Sequence, residues 1–482
     1  MFRLFSIALI LFVSFNAAAQ ARRVPQPRPA PTAATNGEAA TRSNPAASTS
    51  PQASPAALFE DANTYAKRKF EEFERKQVPY TQVLRETTFR EQKQLAAKFA
   101  AQLSTQALTG EDFYFLGMLH LLADNNDGAT EAMKKFLAIT EKDAEKAQTA
   151  RSIVAVSAAR RRNFEESEAA LKEYLKTEPV RVRERVSIER ELARSYFEVK
   201  NYERAAFHAE AALLTAKPML GDPTVNARLT DEVFDVGIRL FEIHARTGNT
   251  RKAEAVLEDL RETAVFVNSA RLYSAATDKL ITFLIDVKRK PEALQKLKTT
   301  EDSLGAKFKD QNSRLRVLSF LKKREPQYKL LGETAPELAI ERWIGNKQTV
   351  LANSRGKVVL LDFWATWCVP CYAAFPELTE WHETYGGKGL EIVGLTRYYG
   401  TAEGLPADNE HEIQYLQKFK REQRLPYSFA VAKGVSNHNR YTADNLPTMV
   451  LIDKKGVIRY VQTGVGQETE VQEMIEKLLA EN

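Results

Sequence analysis

Cys368 and Cys371, in the stretch "DFWATWCVPCYAAFPEL" from Asp362 to Leu378, are the only cysteines among 482 residues. Two cysteines at this spacing can ligate a metal, clip a turn or exchange electrons with other thiols. A zinc site needs about four ligands, and the 6 histidines are scattered with no second CxxC to complete one. Covalent haem attachment would place a histidine directly after the second cysteine, where this chain has Tyr372.

Cys368 follows the apolar run "VVLLDFW", which reads as a buried strand, and opens a helix whose first turn contains Pro370. Unpaired N–H groups and the helix dipole favour a thiolate there, so Cys368 is the expected nucleophile. Cys371, one turn further, is expected to be more buried and less acidic. Residues i and i+3 of a helix share a face, which brings the two sulfurs within reach of each other. Asp362, a carboxylate inside a hydrophobic strand, is costly to bury without a role or partner. The role expected of it is to accept the proton of Cys371; otherwise it is a hydrogen-bonded acid at a strand end.

The elements around the pair alternate. Strand-like runs cover Val358–Phe363, Leu390–Leu395, Tyr427–Ala432, Thr448–Asp453 and Val457–Gln462, with helical stretches at Tyr372–Tyr385, Glu410–Arg424 and Glu468–Leu479. With "DKKG" at Asp453–Gly456 as a tight turn, this predicts an α/β domain over 331–482.

Upstream, residues 58–325 read as almost entirely helical and contain an internal repeat. Aligning the small residue that opens each second helix gives Ala129, Ser167, Ala205, Ala253 and Ala293, at spacings of 38, 38, 48 and 40. Stacked helical hairpins produce periods of this kind, because each buries its apolar face only against a neighbour. A curved helical surface suited to a protein partner is the expected result. The arginine clusters at Arg160–Arg162 and at Arg181, Arg183 and Arg185 read as solvated helix faces.

The N-terminus has Arg3, an apolar run from Leu4 to Phe15 and then small residues at Ala17, Ala18, Ala19 and Ala21. That order predicts a signal peptide over 1–21, or an uncleaved anchor, and hence an exported protein. Where disulfides are permitted, a single pair is not a stabilising framework. Residues 22–57 are rich in proline and alanine and form an expected disordered linker, able to reach ~100 Å if extended. Ser54 followed by Pro55 is the expected cap and first position of the next helix. The net charge of +6 is spread among interleaved acids and bases, which carries no nucleic-acid signature.

"GKVVLLDFWATWCVPC" and "FPEL", taken with "LPTMVLIDKKGVIRYVQTGVG", closely resemble the thioredoxin superfamily, and within it the TlpA/ResA-like exported thiol-disulfide oxidoreductases. "GETAPELAI" fits that branch's extra N-terminal strand. The resemblance implies a redox-active Cys368–Cys371 disulfide shielded by Trp367, with Pro370 between the cysteines and a cis Pro447 packed opposite. It also implies that Leu446 presents backbone groups to an extended substrate. Asp362 matches the buried acid of thioredoxins, where many exported relatives carry asparagine. A peroxiredoxin would instead carry Pro and Thr where this chain has Leu361 and Ala365, which disfavours peroxide chemistry. The polar insertion 398–411 departs from a minimal thioredoxin and is expected beside the active site.

The hairpins resemble divergent tetratricopeptide repeats, with Phe113, Leu116, Gly117 and His120 preceding Ala129 and Met133, although their spacing exceeds the consensus of about 34. The expectation is a multidomain chain: an all-α, tetratricopeptide-like region followed by an α/β thioredoxin-like domain that reduces disulfides of partner proteins. No dissociable cofactor or metal is called for. The resemblance points to cytochrome c or copper-site assembly, electrons from a membrane thiol donor, and a protein partner on the repeats. The alternative is a binding scaffold carrying a redox-sensing thioredoxin-like module.

Overall fold

The computed structural model describes residues 53–139, 143–222, 227–345 and 348–481. The expected signal segment 1–21 and nearly all of the 22–57 linker lie outside the described residues. The first helix, α1 (Pro55–Arg75), begins within the last residues of that expected linker, where Ser54 caps it by accepting from Ala57 N.

α1 packs on α2 (Gln82–Ser104), and five hairpins follow. They are α3 (Asp112–Leu122) with α4 (Asn126–Leu137), α5 (Ala144–Arg160) with α6 (Phe164–Lys176), and α7 (Val182–Glu198) with α8 (Tyr202–Ala216). The last two are α9 (Ala227–Arg246) with α10 (Thr250–Phe266), and α11 (Ala270–Asp286) with α12 (Lys290–Lys307), before α13 (Gln311–Leu330) closes the series. α13 runs through Pro326, so the helical region ends beyond the expected limit of 325.

Ala129, Ser167, Ala205, Ala253 and Ala293 each occupy the fourth position of the second helix of a hairpin, and all are fully buried. The turns that bring them there are built alike. Asp124, Arg162, Lys200, Gly248 and Lys288 adopt φ of 58°, 61°, 62°, 74° and 66°. The next N–H then donates back across the turn, as from Asn125 to His120 O (2.9 Å), Asn163 to Ala158 O (2.9 Å) and Asn201 to Tyr196 O (2.9 Å). In the first three hairpins that same residue also caps the following helix with its side chain: Asn125 accepts from Gly128 N, Asn163 from Glu166 N and Asn201 from Arg204 N. One residue thus ends one helix and starts the next, which fixes the hairpin angle.

The C-terminal part forms one six-stranded mixed sheet in the order β1-β6-β3-β2-β7-β8. Its strands are β1 (Ile340–Ile344), β2 (Val358–Phe363), β3 (Leu390–Arg397), β6 (Ser428–Ala432), β7 (Thr448–Ile452) and β8 (Ile458–Thr463). β4 (Thr401–Ala402) and β5 (Leu405–Pro406) make a separate small ribbon. The helices here are α14 (Val369–Ala373), α15 (Phe375–Tyr385), α16 (Asn409–Glu422), α17 (Ser436–Arg440) and α18 (Glu468–Ala480). The stretch expected to be one helix from Tyr372 divides into α14 and α15, since Pro376 lacks the N–H that would continue the ladder. The extra strand begins only at Ile340, while Thr334 makes an isolated bridge to Val457.

β2 is wholly buried, and its alternate residues enter two different cores. Val358, Leu360 and Trp364 join Cys368, Cys371 and the apolar faces of α15, α16 and α18. Val359, Leu361 and Phe363 join a core that runs on without interruption into α9–α13. Helices of the array therefore contribute to the layer that covers the second face of the sheet. The edge of β8 is covered as well: Gly332 N donates to Ile458 O (2.8 Å), and Ile458 N donates to Glu333 O (2.9 Å). Arg459, 9% exposed, pairs with Asp286 (2.5 Å) of α11, Asp453 (3.1 Å) and Glu481 (2.7 Å). Residues 54–482 make one compact unit.

The shared cap gives a test. Asn201→Ala removes a bond to Arg204 N, and it is expected to cost about 1 kcal/mol. Urea denaturation followed by circular dichroism should show the loss, whereas an unchanged midpoint would mean that packing alone sets the turn.

Candidate active site

Cys368 sits at the N-cap of α14, and Cys371 falls in its first turn, where Cys371 N donates to Cys368 O (3.0 Å). The two sulfurs are joined, with Cα atoms 5.4 Å apart. Both residues are buried, yet their rim is apolar and open: Trp367 is 57% exposed, and Val369 and Tyr372 are exposed beside it. Trp367 therefore stands at the edge of the disulfide with much of its ring in solvent. Tyr372 donates its hydroxyl to Thr366 O, which ties the helix start back onto the turn before it. Pro370 is exposed between the cysteines.

Residue parity places Asp362 on the face of β2 that carries the cysteines, together with Leu360 and Trp364. It is 1% exposed, its Oδ1 has no hydrogen-bond partner, and no cation pairs with it among the described residues. Burial pushes this carboxyl up to about 7. The residue opposite it in the parallel register is Gly394. A Cβ there would come within 2.8 Å of Phe429 Cδ1 and 3.1 Å of Trp364 Nε1, so the aromatic layer closes over the position only because it is glycine. Tyr427 is buried with its hydroxyl unpartnered, and burial followed by the charge of Asp362 pushes its pKa far up. A carboxyl that titrates near neutrality behind a dithiol is chemically able to take up a thiol proton.

Leu446 and Pro447 are joined by a cis peptide, and Pro447 is buried at the start of β7. Pro447 O accepts from Gly464 N (2.9 Å) and Asn445 O accepts from the Thr448 hydroxyl (2.7 Å). The backbone N–H and C=O of Leu446 have no partner among the described residues. The loop thus holds unused backbone groups beside the cysteines, as an added substrate strand requires.

The 398–411 insertion reaches the same place. Glu412, buried at the start of α16, accepts from Tyr399 N (2.8 Å) and Gly400 N (2.8 Å) and pins the insertion down. Tyr399 then meets Trp367 edge to face at 5.4 Å. Between Trp367, Tyr399 and Leu446 opens a cavity of about 350 Å³ whose lining includes Arg397, His438 and Asp444. Sequence reasoning missed Arg397, Tyr427 and His438. His438 stands in a short polar stretch, "VSNHNRY", that carries no recognisable pattern. Among the described residues no group of three or more His, Cys, Asp or Glu is placed to hold a metal, and no helix is long and apolar enough to cross a membrane.

Sequence comparison agrees with this geometry. The AhpC/TSA family matches residues 331–461. Thiol-disulfide oxidoreductase ResA of Bacillus cereus is 32% identical over 142 residues, covering 30% of this chain and 73% of that protein. Protein DipZ of Mycobacterium tuberculosis is 28% identical over 275 residues, 56% of this chain. The chain spans only 36% of the length of DipZ. Among solved structures, a thiol-disulfide isomerase from Corynebacterium glutamicum matches 31% of this chain and 98% of its own at 23% identity and a TM-score of 0.27. The C-terminal third is a thioredoxin-like domain. Through it the chain belongs to the ResA-like thiol-disulfide oxidoreductases.

The buried carboxyl makes stability depend on pH. Unfolded, Asp362 loses its proton near its ordinary value of 3.8, whereas folded it keeps the proton up to about 7. Between these values only the unfolded chain ionises, so stability present at pH 4 is lost as pH rises through 7, by about 4 kcal/mol in all. Asp362→Asn should remove that loss. The variant is expected to melt higher than the parent at pH 8 and alike at pH 4, measured on the oxidised proteins by calorimetry.

Proposed function

We propose that this chain is an exported thiol-disulfide oxidoreductase that reduces disulfides of partner proteins through Cys368 and Cys371. The observation that carries the reading is a disulfide at a helix start with a buried carboxyl, its Oδ1 unpartnered, on the same sheet face. In the dithiol form the Cys368 thiolate attacks one sulfur of the partner disulfide, and the other partner sulfur leaves as a thiolate and takes a proton from solvent. Asp362 takes the proton of Cys371. The Cys371 thiolate then attacks Cys368 Sγ and expels the second partner sulfur as a thiolate, which takes a proton from solvent while Asp362 gives up the one it took. The partner gains two electrons and two protons, and the chain returns to its disulfide.

Leu446 and Pro447 receive the extended segment of the partner, while Trp367 and Pro370 flank the attacked bond. Reduction of the pair requires a dithiol donor, which for an exported protein is membrane-borne. Export rests on the order of residues at the N-terminus. The resemblance to TlpA and ResA favours cytochrome c or copper-site assembly as the setting. The helical array, read as tetratricopeptide-like, holds a protein partner.

Cys371→Ser tests the scheme. The variant should accumulate mixed disulfides through Cys368 when exposed to exported proteins, identified by mass spectrometry, and should lose turnover with insulin. Asp362→Asn should slow resolution on the order of 100-fold at pH 7, followed by tryptophan fluorescence in stopped flow. No adduct and no insulin reduction by the parent protein would sink the enzyme reading and leave a binding scaffold with a redox-sensing module.

A further inference from the structure

The cavity beside the disulfide is built from elements that the exchange chemistry alone does not require. Trp367 precedes Cys368 and Leu446 precedes Pro447, so a partner segment laid along Leu446 turns a side chain near its own cysteine into this space. The insertion supplies the opposite wall through Tyr399.

His438 is 6% exposed, and neither ring nitrogen has a hydrogen-bond partner. It packs edge to face on Phe363 at 5.3 Å, which fixes the ring. A neutral imidazole offers one donor and one acceptor, and leaving both unmade in a buried place is costly. Burial, followed by the charge of Arg397, lowers its pKa to about 4, with Asp444 opposing. Burial thus favours the neutral ring, which adds no charge to the cavity.

Arg397 ends β3 with its guanidinium over the Tyr399 ring at 4.1 Å and one N–H donated to Tyr398 O at 3.3 Å. That pose leaves most of its five N–H groups for something else. Asp444 is exposed at the rim. The cavity thus brings a cation, Arg397, beside a buried imidazole, with the carboxylate of Asp444 exposed at its lining. A cationic side chain would meet Arg397, and an alkyl side chain would leave its free N–H groups without an acceptor.

We propose that this cavity is a specificity subsite for an acidic side chain of the partner, whose carboxylate accepts from Arg397 close to the cysteine being attacked. The proposal rests on the oxidoreductase reading, and it names a feature of the partner proteins: a glutamate or aspartate within two residues of the disulfide.

The pre-reduced full chain is mixed with short peptides, each closed by one disulfide and carrying Glu, Gln or Lys at each position within two residues of either cysteine. Second-order rates of reduction are read by tryptophan fluorescence. At one position Glu should react about ten-fold faster than Gln, the gain of one charge-assisted contact, and Lys slower still. Arg397→Gln should bring the Glu-to-Gln ratio towards one, and Asp444→Asn, at an exposed side chain, should widen it. Hydroxyethyl disulfide, a neutral small substrate, separates the failures. If it is reduced while the peptide rates are flat, or while neither variant alters the ratio, the subsite is overturned alone. If neither it nor any peptide is reduced, the oxidoreductase reading falls and takes the subsite with it.

Discussion

Much of the structure depends on a single strand that has no solvent side. β2 sends alternate residues into two cores, so each of its positions must suit an apolar layer. Asp362 is the exception, and its position on one face rather than the other follows from a period of two. A shift of one residue would turn the carboxyl towards the helical array and point Leu361 or Phe363 at the cysteines. The parallel pairing with β3 and the antiparallel pairing with β7 hold that register from both sides. Glycine at position 394 completes it by admitting the rings of Phe429 and Trp364.

The same constraint explains the electrostatics. Among the described residues Asp362 has no counter-ion, and the face it occupies is filled by packed aromatic rings, with Trp364 edge-on to Phe375, stacked on Phe419 and tilted against Phe429. An acid so placed has only protonation as a means of avoiding the cost of burial. The group that could serve proton transfer and the group that weakens the fold above neutral pH are therefore one and the same.

What the sequence disclosed follows the reach of each signal. The strand carrying Asp362 and the helix start at Cys368 are local patterns, and they lie where local reasoning puts them; the cis proline at 447 was expected only through the family resemblance. The five small residues of the repeat were legible because each must be small where two helices touch, whatever the surrounding sequence. The paired turn geometry was not, because its left-handed position is filled by Asp, Arg, Lys, Gly and Lys, and a conformation shared by such different side chains leaves no common letter. Arg397 and Tyr399 lie at the end of β3 and just beyond it, whereas His438 lies in α17, and the two segments meet only after folding, so nothing in their spacing announces the cavity. The division of the α14–α15 stretch at Pro376 was available in principle, since proline inside a helical pattern is a breaker.

The continuous core beneath β2 also determines where cooperativity ends. Residues of α9–α13 and of the sheet belong to one apolar cluster, whereas α1–α8 are held by smaller ones, two of which also take in the other side of α9. A chain of stacked hairpins ordinarily loses order unit by unit from its ends. Here the final hairpins share their core with the sheet, so no break in packing falls at the junction between helices and strands. An excised C-terminal third would bare the Val359, Leu361 and Phe363 face to water. A piece that keeps the redox pair and leaves that face covered therefore begins within the helices.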